Sequence, residues 1–220
     1  LGSYDISDLN NIQEIDRIQS NPGSNSIPHN THVDGNFIIT SYYRDGTVVH
    51  DITNPHNLIE VAHYDSSPLS GDGFDGCWGT YPFLPSGNII SSDINSGNNN
   101  NGRLLIYSRD FLQACYLEGN VSDITNSNPI TNATVEILNS VLTVQTSTNL
   151  SGNYMTGIAN SSSYDIVFSA PGYLSDTINA TFSNGNTTIV NSQLQPLQSF
   201  NTSGSVIDIN GIGIPNSDVL

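Results

Sequence analysis

Tyr4–Arg17 reads YDISDLNNIQEIDR and His50–His63 reads HDITNPHNLIEVAH, and the two stretches superimpose without a gap at an offset of 46 residues. Asp5 falls on Asp51, Ile6 on Ile52, Asn11 on Asn57, Glu14 on Glu60 and Ile15 on Val61. A third, partial copy follows. NIISSDINSG from Asn88 echoes NFIITSYYRDG from Asn36, and LLIYSRD from Leu104 echoes TVVHDIT from Thr47, after an inserted NNNNGR. Repeats of this length that each offer about four short strands are the pattern of β-propeller blades. In the complete copy the pattern predicts strands near Thr31–Val33, Phe37–Tyr42, Thr47–Ile52 and Leu58–Tyr64.

Composition supports an all-β chain. Asn, Ser, Thr and Gly dominate while Glu and Ala are scarce, which disfavours long helices and suits short strands joined by turns. No long helix and no parallel sheet is expected. The formal net charge is −16, with only four basic residues, all arginine (Arg17, Arg44, Arg103, Arg109). Nucleic acid and anionic membrane surfaces need clustered cations, so neither is an expected partner. The absence of lysine also removes Schiff-base chemistry, a P-loop and any Lys–Asn isopeptide crosslink. No apolar run approaches the roughly 18 to 20 residues of a membrane span. LGSYDISDLN carries neither an initiator Met nor a signal peptide, so the chain reads as an internal fragment.

VVHDITNPHNLIEVAHYD, GCWGTYPFLPSGNIISSDINSG and PHNTHVDGNFIITSYYRDG resemble the last blades of LVIVD-repeat propellers, found in secreted bacterial proteins of the choice-of-anchor B family. The resemblance covers about residues 1–110. It implies that residues 1–115 are the C-terminal blades of a β-propeller whose upstream blades belong to the same chain, and that the protein is extracellular, secreted or displayed at the cell surface.

Composition shifts after QACYLEG: from Gly119 onward there is neither Arg nor His. GNVSD, ATVEIL, LTVQTST, GNYMTGI, YDIVFSAPGY, DTINATF and TTIVNSQLQ are seven short alternating segments separated by SG, NG and PG turns. This spacing predicts an immunoglobulin-like β-sandwich. With its G-x-V-x-D opening, its A-x-V strand and its SAPGY turn (Ser169–Tyr173), the segment 116–198 resembles a carboxypeptidase regulatory-like (transthyretin-like) domain, a module type that is usually non-catalytic. GSVIDINGIGIPNSDVL from Gly204 repeats the opening at Gly119, with Asp208 on Asp123. Residues 199–220 are therefore expected to begin a second, truncated sandwich domain. Lacking strand partners of their own, they are expected to be disordered or to augment another sheet edge.

All five histidines lie between positions 29 and 63. His50, His56 and His63 occupy repeat positions that Tyr4, Asn10 and Arg17 fill in the first copy, which is not how metal ligands behave. His29 and His32 have no such counterpart and are the candidate transition-metal or ligand pair. Three residues apart on a strand, they would point to opposite faces, so joint chelation requires a bend before the strand. The alternative is a pair of hydrogen-bonded structural histidines.

Acidic loops offer a second candidate. SGDGFDG supplies Asp72 and Asp75, and SDINSGNNNNG supplies Asp93 and Asn95, oxygen ligands of the kind Ca2+ prefers, although Gly97 occupies the third position of the calcium-loop pattern. Solvated turns are the competing reading. Trp78 and Tyr81, in CWGTYPF, are candidates for stacking on a ligand, against packing between blades. Cys77 and Cys115 make an even pair that, in a secreted chain, is a disulfide candidate; two free buried thiols are the alternative. Seven N-x-S/T sequons lie in the second half and read as exposed polar surface.

There is no G-x-S-x-G elbow, and no pair of acids singles itself out for glycosidase chemistry. The sequence therefore predicts a non-catalytic surface protein: a propeller platform for an extracellular protein or glycan ligand, with sandwich spacers and further sandwich domains downstream. The competing reading is a hydrolytic or metal-dependent propeller enzyme built around His29 and His32.

Overall fold

The computed structural model describes residues 1–94, 101–140, 144–198 and 204–215. Among them every regular element is a strand. β1 (Gly2–Asp5) and β2 (Gln13–Arg17) form an antiparallel hairpin. β3 (Asn30–Asp34), β4 (Phe37–Tyr42), β5 (Gly46–Asp51) and β6 (Ile59–Tyr64) form a four-stranded antiparallel meander in chain order. β7 (Gly76–Tyr81), β8 (Ile89–Ile94) and β9 (Arg103–Tyr107) form a three-stranded sheet, again in chain order. The strands of the complete repeat thus fall where the sequence pattern puts them, within a residue or two at each end.

The repeat has a local physical cause, visible in its hydrogen bonds. Asp5 Oδ1 accepts from the Ser7 amide at 2.8 Å, and Asp51 Oδ1 accepts from the Thr53 amide at 2.8 Å. Asp8 Oδ1 accepts from Asn10 N and Asn54 Oδ1 from His56 N, while Asn11 N and Asn57 N close onto the carbonyls of Asp8 and Asn54. Each copy is therefore a strand ended by an aspartate-capped turn and a second turn that feeds the next strand. The same device recurs where GNVSDITN and GSVIDING align: Asp123 Oδ1 takes the Thr125 amide and Asp208 Oδ1 the Asn210 amide.

The second and third sheets stack face to face. Ile39 and Val49 meet Ile89 across the stack, with Phe37, Val61, Ala62, Tyr107 and Phe111 at the margins. Beside this small apolar core runs a hydroxyl layer: Thr47 Oγ1 lies 2.7 Å from Ser91 Oγ, which lies 3.1 Å from Thr80 Oγ1. β5 is buried along its whole length, and the buried Ser26 lies at the turn that precedes it, with its Oγ 3.5 Å from the Tyr42 carbonyl. Among the described residues no sheet closes into a barrel or a propeller.

Residues 115–194 form a β-sandwich. One sheet is ordered β12 (Val144–Ser147), β11 (Thr134–Ile137), β14 (Ser163–Ser169), β15 (Asp176–Thr181). The other centres on β10 (Cys115–Asp123), flanked by β13 (Asn153–Ile158) on one side and by β16 (Thr187–Ile189) and β17 (Ser192–Leu194) on the other. Alternation drives it: Val135 and Ile137 of β11 and Tyr164, Ile166 and Phe168 of β14 point inward against Leu117, Val121 and Leu194. Each fully buried aliphatic or aromatic side chain contributes about 1.5–3 kcal/mol relative to exposure.

Two expectations need correction here. The last expected strand, TTIVNSQLQ, is divided into β16 and β17. Both run parallel to β10, so the pairing is not antiparallel throughout. The division follows β10 closely: a Cβ at Gly119 would sit 1.8 Å from the Val190 carbonyl oxygen, so the chain crosses there against bare glycine backbone. Residues 204–215 carry one small turn with an isolated bridge between Ile207 and Gly213, and their apolar side chains are exposed.

The sandwich is fastened to the second sheet. The buried Asp51 carboxylate uses its Oδ2 to accept the Ala114 amide at 2.7 Å, and Asn57 Nδ2 donates to the Thr156 carbonyl at 2.8 Å. Ile59 packs with Ala114 and Tyr116 between these two bonds. Burial pushes the Tyr116 hydroxyl up to about 12, so it stays protonated.

Candidate functional site: an aromatic and histidine face on the stacked sheets

The edge strands β3 and β7 bring the sequence candidates together. His29, just before β3, lies 5.4 Å from the Tyr43 ring and 5.6 Å from the Trp78 ring. His32, on β3, lies 6.2 Å from Tyr81 and 5.7 Å from Phe83, and its Nε2 is 3.3 Å from Asn30 Nδ2. Phe74 stands edge-on to Tyr43 at 5.3 Å. A bulge between Cys77 and Gly79 turns Trp78 out of the β7 alternation. Trp78 is 50 % exposed, Tyr81 45 % and Phe83 46 %, so two open ring clusters result, Tyr43, Phe74 and Trp78 around His29 and Tyr81 and Phe83 around His32. Such rings can stack on the apolar face of a ligand and offer it ring nitrogens as hydrogen-bonding groups.

The metal readings do not gain a ligand set. Among the described residues no group of three or more His, Cys, Asp or Glu side chains comes together, and His29 and His32 each contact two aromatic rings instead. Asp93 is buried in β8, where Ser66 Oγ donates to its Oδ2 and Oδ1 has no partner; Asn95 lies outside the described residues. The Asp72–Asp75 loop closes around a side-chain cation rather than presenting an empty oxygen cage. The Arg44 guanidinium donates to the carbonyls of Ser70 (3.1 Å) and Asp72 (2.6 Å) and pairs with Asp75 Oδ2 at 2.8 Å. Gly73 sits at φ +152°, which disfavours a side chain, and a Cβ there would fall 2.2 Å from the guanidinium carbon and displace it.

The cysteines are a correction as well. Both are free and buried, and they belong to different parts of the molecule. Cys77 Sγ lies 3.3 Å from Thr47 Oγ1 in the hydroxyl layer between the stacked sheets, whereas Cys115 is in the sandwich core. Burial raises both thiols above their ordinary value, which makes them poor nucleophiles. The tie between the two halves of the chain is instead the hydrogen-bonded junction at Asp51 and Asn57. Sequence reasoning missed that junction, although the copied Asp and Asn of the repeat were in view.

Among the remaining histidines, His50 is fully buried and neither ring nitrogen has a partner; burial lowers it to about 4, with Glu60 opposing the shift. His63 pairs with Glu60 at 3.0 Å, and that hydrogen bond raises it. His56 is exposed in its turn. None of these groups is set beside a serine or cysteine nucleophile.

Residues 116–195, the whole of the sandwich from β10 to just beyond β17, match the family model of the carboxypeptidase regulatory-like domain. A carboxypeptidase regulatory-like domain is present. The match covers a minority of the chain and leaves the stacked sheets outside it. No curated protein matches the chain. Among solved structures the chain is similar to GBS52, the minor pilin of Streptococcus agalactiae, at 14 % identity and a TM-score of 0.33, over 56 % of this chain and 66 % of that one. It is similar to the Bacillus anthracis TIE protein at 8 % identity and a TM-score of 0.34, over 80 % of this chain and 40 % of that one. The group B streptococcus pilus 2b backbone protein follows at 11 % identity and a TM-score of 0.32, over 84 % of this chain and 74 % of that one. The chain spans less than two thirds of the first two, and similarity of this size assigns none of their roles to it.

Proposed function

We propose that the chain belongs to a non-catalytic, extracellular modular protein. Residues 1–115 would be the C-terminal blades of a β-propeller of the LVIVD-repeat type, residues 116–198 a regulatory-like sandwich acting as a spacer, and residues 199–220 the start of a second sandwich. The observation that carries this reading is the stack of consecutive antiparallel meanders, built on one repeated aspartate-capped turn and bolted to the sandwich through Asp51 and Asn57. The open ring clusters, His29 with Trp78 and His32 with Tyr81 and Phe83, are its partner-facing surface. They suit a glycan or a flat protein epitope, with ring faces for apolar contact and imidazoles for polar contact.

Trp78 is the only tryptophan, so its emission reports directly on this face. Titrating the chain with neutral oligosaccharides and with purified extracellular proteins should change Trp78 emission for at least one class, and the Tyr81→Ala, Phe83→Ala double variant, which keeps the tryptophan, should show no such change. Turnover of a tested compound that is lost in a His29→Ala, His32→Ala variant would replace this reading with an enzymatic one.

A further inference from the structure

Three side chains of different chemistry stand in a row where the second sheet meets the sandwich. Thr53 Oγ1 donates to Asp51 Oδ1 at 2.6 Å, and Gln113 Nε2 donates to Thr53 Oγ1 at 2.8 Å. Backbone groups hold both ends of the row. Asp51 is fully buried and accepts the Thr53 amide at 2.8 Å and the Ala114 amide at 2.7 Å. The Gln113 carbonyl accepts from Asn184 Nδ2 at 2.6 Å, and the Ala114 carbonyl accepts the Gly185 amide at 2.8 Å. Gly185 leaves room for the carboxamide oxygen, since a Cβ there would lie 3.0 Å from Gln113 Oε1. A hydroxyl is thus fixed between a carboxylate and a carboxamide that lies 60 residues further along the chain.

The turn alone does not produce this row. Asp123 and Thr125 make the same Asp-x-Thr turn, with Thr125 Oγ1 donating to Asp123 Oδ1 at 2.6 Å. Among the described residues no carboxamide is hydrogen-bonded to that hydroxyl, and the second carboxylate oxygen accepts from the Tyr173 hydroxyl instead.

We propose that Thr53 and Gln113 react to form an intramolecular ester. Asp51 takes the hydroxyl proton as Thr53 Oγ1 attacks Gln113 Cδ. The Cδ–Nε2 bond then breaks, the nitrogen takes that proton from Asp51, and ammonia leaves through the exposed side of Thr53. One O–C bond replaces one N–C bond, no electron is transferred, and Asp51 ends as it began. A hydroxyl hydrogen-bonded to a base is an activated nucleophile for acyl transfer, and fixed proximity is equivalent to a reactant concentration of about 10⁵–10⁸ M in well-oriented cases. The product is a covalent tie across the junction, in a chain whose two cysteines are free and which has no lysine for an amide crosslink. It stands independently of the propeller reading and of what the ring clusters bind.

The test is mass spectrometry on the purified chain of residues 1–220. Its mass should fall below that of the sequence by one ammonia. Trypsin cuts after arginine, which places Thr53 in residues 45–103 and Gln113 in residues 110–220. These two peptides should stay joined after digestion and come apart in dilute hydroxide, which hydrolyses the ester. Thr53→Ser keeps the nucleophile and should keep the link, whereas Thr53→Val and Gln113→Met, which preserve the side-chain volume, should each show the full mass of its own sequence and separate peptides. Full mass with separate peptides in the unsubstituted chain after prolonged incubation would overturn the proposal. So would an ammonia loss with separate peptides, which would place the loss at a succinimide of an Asn-Gly step such as Asn184–Gly185, or a link that survives in Gln113→Met.

Discussion

Replacing His50 by leucine should remove most of the acid sensitivity of the stacked sheets. The imidazole is fully buried and both its nitrogens lack partners, so leucine forfeits no hydrogen bond, and the variant should match the native chain at neutral pH within about 1 kcal/mol. Acid separates the two. Burial holds His50 at about 4 in the folded state, below its ordinary value of 6.5, and Glu60 pulls it upward. Between those values the unfolded imidazole takes up a proton that the folded one refuses, so stability is lost as pH falls from 6.5 to about 4. At 1.36 kcal/mol per pH unit the loss is roughly 3 kcal/mol. Asp45 and Asp65, both raised by burial, act in the opposite sense and gain stability on acidification, but they are the same in both chains and cancel in the difference. Urea unfolding followed by Trp78 emission at pH 7.5, 5.5 and 4 should therefore show the native midpoint falling relative to His50→Leu by ~1.5 M over the range, for a slope of about 2 kcal/mol/M. Identical pH dependence in the two chains would refute a buried neutral His50.

Three further outcomes follow from the same geometry. Asp51→Ala strands the Ala114 and Thr53 amides at the buried junction and should cost about 2–4 kcal/mol by denaturant unfolding, whereas Asp5→Ala, at the exposed counterpart, should cost under about 1 kcal/mol. Gly73→Ala drives a methyl group into the Arg44 guanidinium; it should destabilise by roughly 1–2 kcal/mol and speed proteolysis of residues 70–76, and an unchanged cleavage rate would show that Arg44 does not clamp the loop. Since Cys77 and Cys115 are free and buried, reductant should leave the unfolding temperature unchanged, and a thiol reagent should label both only in denaturant; a reductant-sensitive midpoint would restore the bridge.

The strands of the stacked sheets were legible because their information is local. A Tyr/His-Asp-Ile-Ser/Thr motif fixes a strand end and its turn within three residues, and alternation fixes the face. The sandwich strands were legible for the same reason, but their direction was not: period-two alternation reads identically in parallel and antiparallel pairing, so the return of β16 and β17 alongside β10 left no mark in the sequence. The remaining differences are long-range. An even cysteine count says nothing about which core each thiol enters. The Arg44 clamp joins residues some thirty positions apart, and nothing in SGDGFDG distinguishes a loop waiting for Ca2+ from one already filled by a guanidinium. His29, His32, Trp78 and Tyr81 were each visible as candidates; that each imidazole meets rings from the β7 side depends on the packing of β3 against β7.

The claim on which the rest depends is that the chain is modular, with the regulatory-like sandwich holding its own core and joined to the stacked sheets by a junction that includes the Asp51–Ala114 and Asn57–Thr156 bonds and the Ile59 contact. The direct test is to express residues 116–198 alone and follow their thermal unfolding by near-ultraviolet circular dichroism. The account predicts a fixed tertiary signal from Tyr154, Tyr164 and Phe168, lost in one cooperative transition. A segment without that signal, recovering it only when residues 1–115 are present, would contradict it.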